Sequence, residues 1–135
     1  MDYKVIDIEG VGPVFAEKLQ AVGIAKASQL LEKCAKPAGR KALSEEADIA
    51  DHLILKWANH CDLFRIKGVG PQFAELLEAG GVDTVKEFGH RVAANLEKKL
   101  IEVNEQRHLT RRVPSVKELE RMIAQAKELP AVMSY

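Results

Sequence analysis

Apolar residues recur at helical spacing almost from the start of the chain. After Pro13, the set Phe15, Ala16, Leu19 and Val22 marks one face of a helix of about three turns that ends at Gly23. Pro13 suits the first helical position, where its missing N–H is not needed, and Gly23 suits the left-handed residue that closes a helix. A second short helix is expected over about Ser28 to Cys34. After the loop Lys36-Pro37-Ala38-Gly39, a third is expected from Arg40 to Ala47. A fourth follows from Asp51 to Leu63, with Leu53, Ile54, Trp57 and Cys61 turned inward.

The pattern then begins again. Ile8-Glu9-Gly10-Val11-Gly12-Pro13-Val14-Phe15-Ala16-Glu17-Lys18-Leu19 returns 58 positions later (Ile8 to Ile66) as Ile66-Lys67-Gly68-Val69-Gly70-Pro71-Gln72-Phe73-Ala74-Glu75-Leu76-Leu77. The echo runs on through Ala21/Ala79 and Gly23/Gly81, so a whole turn-helix-turn element is copied. In the second copy Pro71 opens the helix, Phe73, Ala74 and Leu77 form its buried stripe, and Gly80-Gly81 stops it. Thr84 and Glu87 have capping-box spacing at the start of a helix running to about Arg91. Ser115 and Glu118 repeat that spacing at the last helix, which Pro130 ends.

Leu119, Ile123, Ala124 and Leu129 take the places of Leu53, Trp57, Ala58 and Leu63 at a shift of 66 (Leu53 to Leu119). The excess over 58 puts an insertion near Val103 to Thr110. No segment alternates apolar and polar over a strand's length. The prediction is an all-α chain of about eight to ten short helices in two tandem units, 1–62 and 63–135. Only Met1 to Asp7 precedes the first glycine turn, and the helix Ser115 to Leu129 is expected to fold back over that turn's open side, closing both units into one core.

Charge adds little to this picture at large scale. Twenty basic and twenty acidic residues cancel, so no global positive field announces a nucleic-acid binder. Residues 1–62 hold 8 Lys/Arg against 10 Asp/Glu, and residues 63–135 hold 12 against 10. Cys34 and Cys61 lie far apart and read as buried thiols of a reduced, cytoplasmic protein. The start Met1-Asp2-Tyr3-Lys4 lacks the apolar run of a signal peptide, and no apolar stretch approaches the ~20 residues that span a bilayer. His52, His60, His90 and His108 are scattered without ligand spacing. No nucleophile has an adjacent base, and Gly10-Val11-Gly12 lacks the Gly-Lys-Ser/Thr ending of a P-loop. Neither an enzyme, a metal nor a cofactor is expected.

The candidate chemistry lies in the doubled Gly-Val-Gly-Pro. Two glycines in a tight turn allow positive φ and leave no side chain in the way. N–H groups of the turn and of the following helix start can then point outward together, an arrangement that suits a phosphate oxygen. Leu63-Phe64-Arg65-Ile66-Lys67-Gly68-Val69-Gly70-Pro71-Gln72-Phe73-Ala74 resembles the helix-hairpin-helix motif of DNA repair and recombination proteins, which contacts the nucleic-acid backbone without reading bases. The longer pattern includes Gly39-Arg40-Lys41, Leu53 to Asn59, and Arg111-Arg112-Val113-Pro114-Ser115. It resembles an uncharacterised bacterial family with paired hairpins, a resemblance that covers nearly the whole chain. It implies two helix-hairpin-helix (SAM-like) units and carries no assigned activity.

The resemblance to the helix-hairpin-helix motif implies phosphate contacts at the amides of Gly10, Val11 and Gly12 and of Gly68, Val69 and Gly70. The departures fall in the flanking charge. The first copy has Glu9 before the turn and only Lys18 to help, whereas the second has Lys67 before it and Gln72 after it. A backbone-phosphate site short of cations binds weakly, so the second copy is the better candidate.

Arg107, Arg111 and Arg112 form the only dense basic cluster. They read either as a second phosphate clamp or dock for an acidic partner, or as a solvated loop. Arg40 to Asn59 also resembles a helix-turn-helix. Its second helix offers Asp51, His52 and Lys56 where base reading wants Arg, Asn or Gln, so packing on the first hairpin is expected instead. Two functions remain open: non-sequence-specific nucleic-acid binding through hairpin amides, and a protein-interaction scaffold that uses the same fold without nucleic acid.

Overall fold

In the computed structural model, which describes residues 1–135, each run of helical spacing becomes a helix. A single 3-10 turn, Val5–Asp7, leads into α1 (Gly12–Ala21), α2 (Ala27–Cys34), α3 (Pro37–Ala47) and α4 (Asp51–Leu63). Then come α5 (Pro71–Ala79), α6 (Val85–Gly89), α7 (Ala93–Arg107) and α8 (Val116–Glu128). The chain is all-helical, and its one β-bridge joins Lys4 to Lys26. No helix is long and apolar enough to cross a membrane.

Two compact units result: Met1–Asp62 together with Val132–Tyr135, and Leu63–Ala131. In the first, Val5, Ile8, Leu19, Leu30, Leu43 and Ile54 are buried. The 3-10 turn lies on α1, and α2 packs on α3. The N-terminus of α2 is capped from a distance. Asp2 Oδ1 accepts the Ser28 N–H at 3.0 Å, and the Ser28 hydroxyl donates to Asp2 Oδ2 at 2.6 Å. Those bonds, the hydroxyl's first, hold the Asp2 carboxyl below its ordinary pKa.

The start of α3 corrects the sequence reading. Lys36-Pro37-Ala38-Gly39 is not a loop up to Arg40, because α3 begins at Pro37, whose ring is pre-set for the first helical position. Gly39 therefore sits in the first turn of α3, where an added Cβ would fall on the Lys33 carbonyl oxygen at the end of α2.

Arg40, one residue on, is buried. Its Nη1 donates to the Cys34 and Ala35 carbonyls at 3.0 and 3.3 Å, and its Nη2 donates to the Ser134 carbonyl at 2.8 Å. The Tyr135 ring lies 5.3 Å from the guanidinium, and the Tyr135 hydroxyl donates to Asn59 Oδ1 at 2.7 Å. These bonds fasten residues 132–135 to the first unit.

Trp57 through Phe64 are all buried, including Asn59, His60 and Asp62. The second half of α4 is thus a core segment, and it lies over the first glycine turn, with Phe15 edge-on to Trp57 at 5.1 Å.

The second unit repeats the order of four helices. α6 and α7 both pack on α8, and Ile66, Leu77, Phe88, Leu96, Leu100 and Leu119 are buried. Thr84 Oγ1 accepts the Glu87 N–H at 3.2 Å. At α8 the box is reciprocal, since Ser115 Oγ accepts the Glu118 N–H while Glu118 accepts the Ser115 N–H. The expected insertion is only partly a loop. α7 runs through it to Arg107, where His108 turns left-handed at φ 52°, and Asn104 then clamps Thr110 with two 3.0 Å bonds. α8 belongs to the second unit and lies against the second glycine turn.

Candidate nucleic-acid interface

Each glycine turn is anchored by two buried aliphatic residues. Ile8 and Val11 hold the first, and Ile66 and Val69 the second. The Val11 amide donates to the Ile8 carbonyl at 3.1 Å, and the Val69 amide donates to Ile66 in the same way at 3.1 Å. The central amides are thus drawn into the turns themselves. Val11 and Val69, expected to offer their amides to phosphate, instead use them within the turn.

Gly10 and Gly68 take φ of +88° and +95°, a region that only glycine enters cheaply. The two copies diverge at the next glycine. Gly12 has φ +62° and already begins α1, whereas Gly70 is extended (φ −104°, ψ −176°) and caps α5, its carbonyl accepting the Ala74 N–H at 2.9 Å.

The surroundings separate the copies further. Beside the first turn, Lys18 faces away from the glycines. Its Nζ donates to the Asp48 carbonyl at 2.9 Å and lies 3.9 Å from the Asp48 carboxylate, where the end of α3 gathers negative dipole. Glu9 is half-buried, Val14 is 68% exposed, and Trp57 Nε1 would lie 3.7 Å from a Cβ on Gly10.

At the second turn, Lys67, Gly68 and Gln72 are exposed. α8 adds groups that the turn's own sequence does not contain. Gln125 Oε1 accepts the Lys67 N–H at 3.0 Å, and Arg121 Nη2 donates to the Lys67 carbonyl at 3.2 Å. An added Cβ on Gly68 would lie 3.2 Å from Arg121 Nη2 and 3.1 Å from Met122 Cε. Two cations, Lys67 and Arg121, therefore stand at one exposed glycine.

The three clustered arginines differ in their surroundings. Arg112 is held bidentate by Glu118, with Nη1–Oε1 at 3.0 Å and Nη2–Oε2 at 2.8 Å, while Arg107 and Arg111 project into solvent. Glu118 lies one turn before Arg121 on α8, so the Arg112–Glu118 pair and Arg121 share an edge of that helix.

Arg121 is the residue that sequence reading overlooked. The shift of 66 contained the signal: it sets Ile123 on Trp57, and Trp57 lies on the first turn, so α8 should lie on the second. Both thiols are buried, and desolvation pushes Cys34 up to about 11 and Cys61 higher still. No group of three His, Cys, Asp or Glu side chains lies close enough to hold a metal ion.

The family described as Domain of unknown function (DUF4332) matches residues 9–129, and the chain belongs to that family. No curated protein and no solved structure matches it.

Proposed function

We propose that this member of the DUF4332 family binds nucleic acid, DNA first, through its phosphate backbone and without reading sequence, and that the turn Ile66–Pro71 is a helix-hairpin-helix contact. The observation that supports this most is the placement of Arg121 by α8 beside the exposed Lys67–Gly68 turn. In this reading a phosphate oxygen sits against the Gly68 and Gly70 amides, where the N-terminus of α5 adds partial positive charge. Lys67 and Arg121 supply the counter-charge and Gln72 a polar flank. The first turn, with Glu9 beside it and Lys18 turned to Asp48, serves as packing architecture.

The test is binding of arbitrary duplex and single-stranded DNA, followed by fluorescence anisotropy. Weak binding at about 20 mM salt that falls as salt rises, and is lost in Lys67→Glu and in Arg121→Glu, is the expected result. No binding at that salt, or binding indifferent to both substitutions, removes the reading. Its rival is a protein-interaction scaffold on the same fold, favoured by the formal net charge of zero and by the cover α8 gives one side of the second turn.

A further inference from the structure

The segment 86–94, from the end of α6 into α7, runs beside α8 and leaves two cavities along it, of about 390 and 370 Å³. The larger is floored by Gly89, Ala126, Leu129 and Ala131, and the smaller by Val92, Val116, Ile123 and Ala124. Lys127 borders both, so they form one groove along the helix.

Two features of the chain open this groove. Gly89 brings the end of α6 against α8 with no side chain to fill the space, and a Cβ there would meet Lys127 Cγ and backbone N at 3.4 Å. On α8 itself, Val116, Glu120, Ala124 and Lys127 recur at steps of four, four and three residues. They make one edge of the helix, apart from the buried stripe of Leu119, Met122 and Ala126. Ala124 on this edge and Val92 facing it are exposed to water, Val92 at 61%.

The rim is mainly basic. Lys86, His90, Arg91 and Lys127 line the two cavities, and Glu120 is the one acid among them. We infer that this groove docks an acidic amphipathic peptide segment of a partner protein, with apolar side chains in the two cavities and carboxylates on the basic rim. The apolar floor decides between polyanions. A nucleic-acid backbone gains nothing from it, and no Phe, Tyr or Trp lines either cavity to stack a base. An amphipathic helix matches both features: anchors on its apolar face fill the cavities, and acidic residues beside them meet the lysines. The inference rests on different residues from the glycine-turn reading and does not depend on it.

The test uses the full chain and two labelled peptides of about 15 residues, matched to the length of α8. Both carry Leu at helical spacing, one with Glu and the other with Lys at the remaining positions. The Glu peptide should bind with a dissociation constant of tens of micromolar and the Lys peptide at least about tenfold more weakly. Lys127→Glu should weaken the Glu peptide about tenfold through the rim. Ala124→Gln should do so through the floor, leaving the rim charges in place. Both sites are exposed, so circular dichroism should show unchanged helicity. Lys67→Glu, which abolishes the proposed DNA contact, should leave peptide binding intact. Equal binding of the two peptides, no binding at about 1 mM, or indifference to both groove substitutions overturns the inference.

Discussion

Glu118 is where several local demands meet on one carboxylate. It closes the capping box of α8 through the Ser115 N–H and also takes both arms of the Arg112 guanidinium. The Arg112 bonds come first, and with the Ser115 bond they hold the carboxyl down at about 2 against an ordinary 4.5. A carboxyl depressed on folding stabilises the folded chain above its ordinary pKa, and that contribution is lost as pH falls through the depressed one. The stability difference between the wild type and Glu118→Gln should therefore fade between pH 4.5 and about 2. Side-chain carboxyl titration by NMR checks the cause: Arg112→Gln should move the Glu118 midpoint back up, and added salt should move it part of the way, because the pair faces solvent. A midpoint that stays put in Arg112→Gln would mean that the cap alone holds it. The same pairing explains why the Arg107–Arg112 run does not behave as three free cations. The run is visible in sequence, but Glu118, six positions from Arg112, turns one of the three into a structural partner.

At the scale of elements, the crossing of α2 and α3 depends on a glycine that looked like a loop residue. Gly39→Ala would place its methyl on the Lys33 carbonyl oxygen, and backbone cannot swing aside as a side-chain tip can. The substitution should cost about 3 kcal/mol, the upper range for overpacking, whereas helix propensity alone would make alanine the better residue. Urea unfolding decides between these, and a stabilised Gly39→Ala would show that the two helices can part without cost.

The error over this stretch has a physical source. Pro37 and Gly39 read as breakers because proline ends a helix from inside yet begins one at its first position, and only the crossing partner shows which applies. Elements set by local chemistry were legible. The range Asp51 to Leu63 was read at both ends, and the Pro13, Pro71 and Ser115 starts all stand within two residues of expectation. What was not legible depended on contacts between elements. α7 extends through the expected insertion, Lys18 turns to the end of α3, and α8 brings Arg121 to the second turn.

For the whole molecule, equal numbers of acidic and basic residues bound what a phosphate-binding reading can claim. With a formal net charge of zero there is no long-range field to steer a polyanion, so any affinity for DNA must come from the few cations at the contact. At the second turn these are Lys67 and Arg121, and the amides of Gly68 and Gly70 add hydrogen bonds but displace no counterions. Each phosphate neutralised contributes about −0.9 to the slope of log affinity against log salt on duplex DNA, so two cations predict a slope of about −2. Lys67→Gln or Arg121→Gln, each removing one cation without adding an acid, should reduce it by about 1, and Gly68→Ala should weaken binding while leaving the slope in place. That contrast separates the roles of charge and backbone, because only the charged residues change the number of ions released. A slope near −6 would require several more cations than this turn presents and would move the contact elsewhere, with the exposed Arg107 and Arg111 the first residues to substitute.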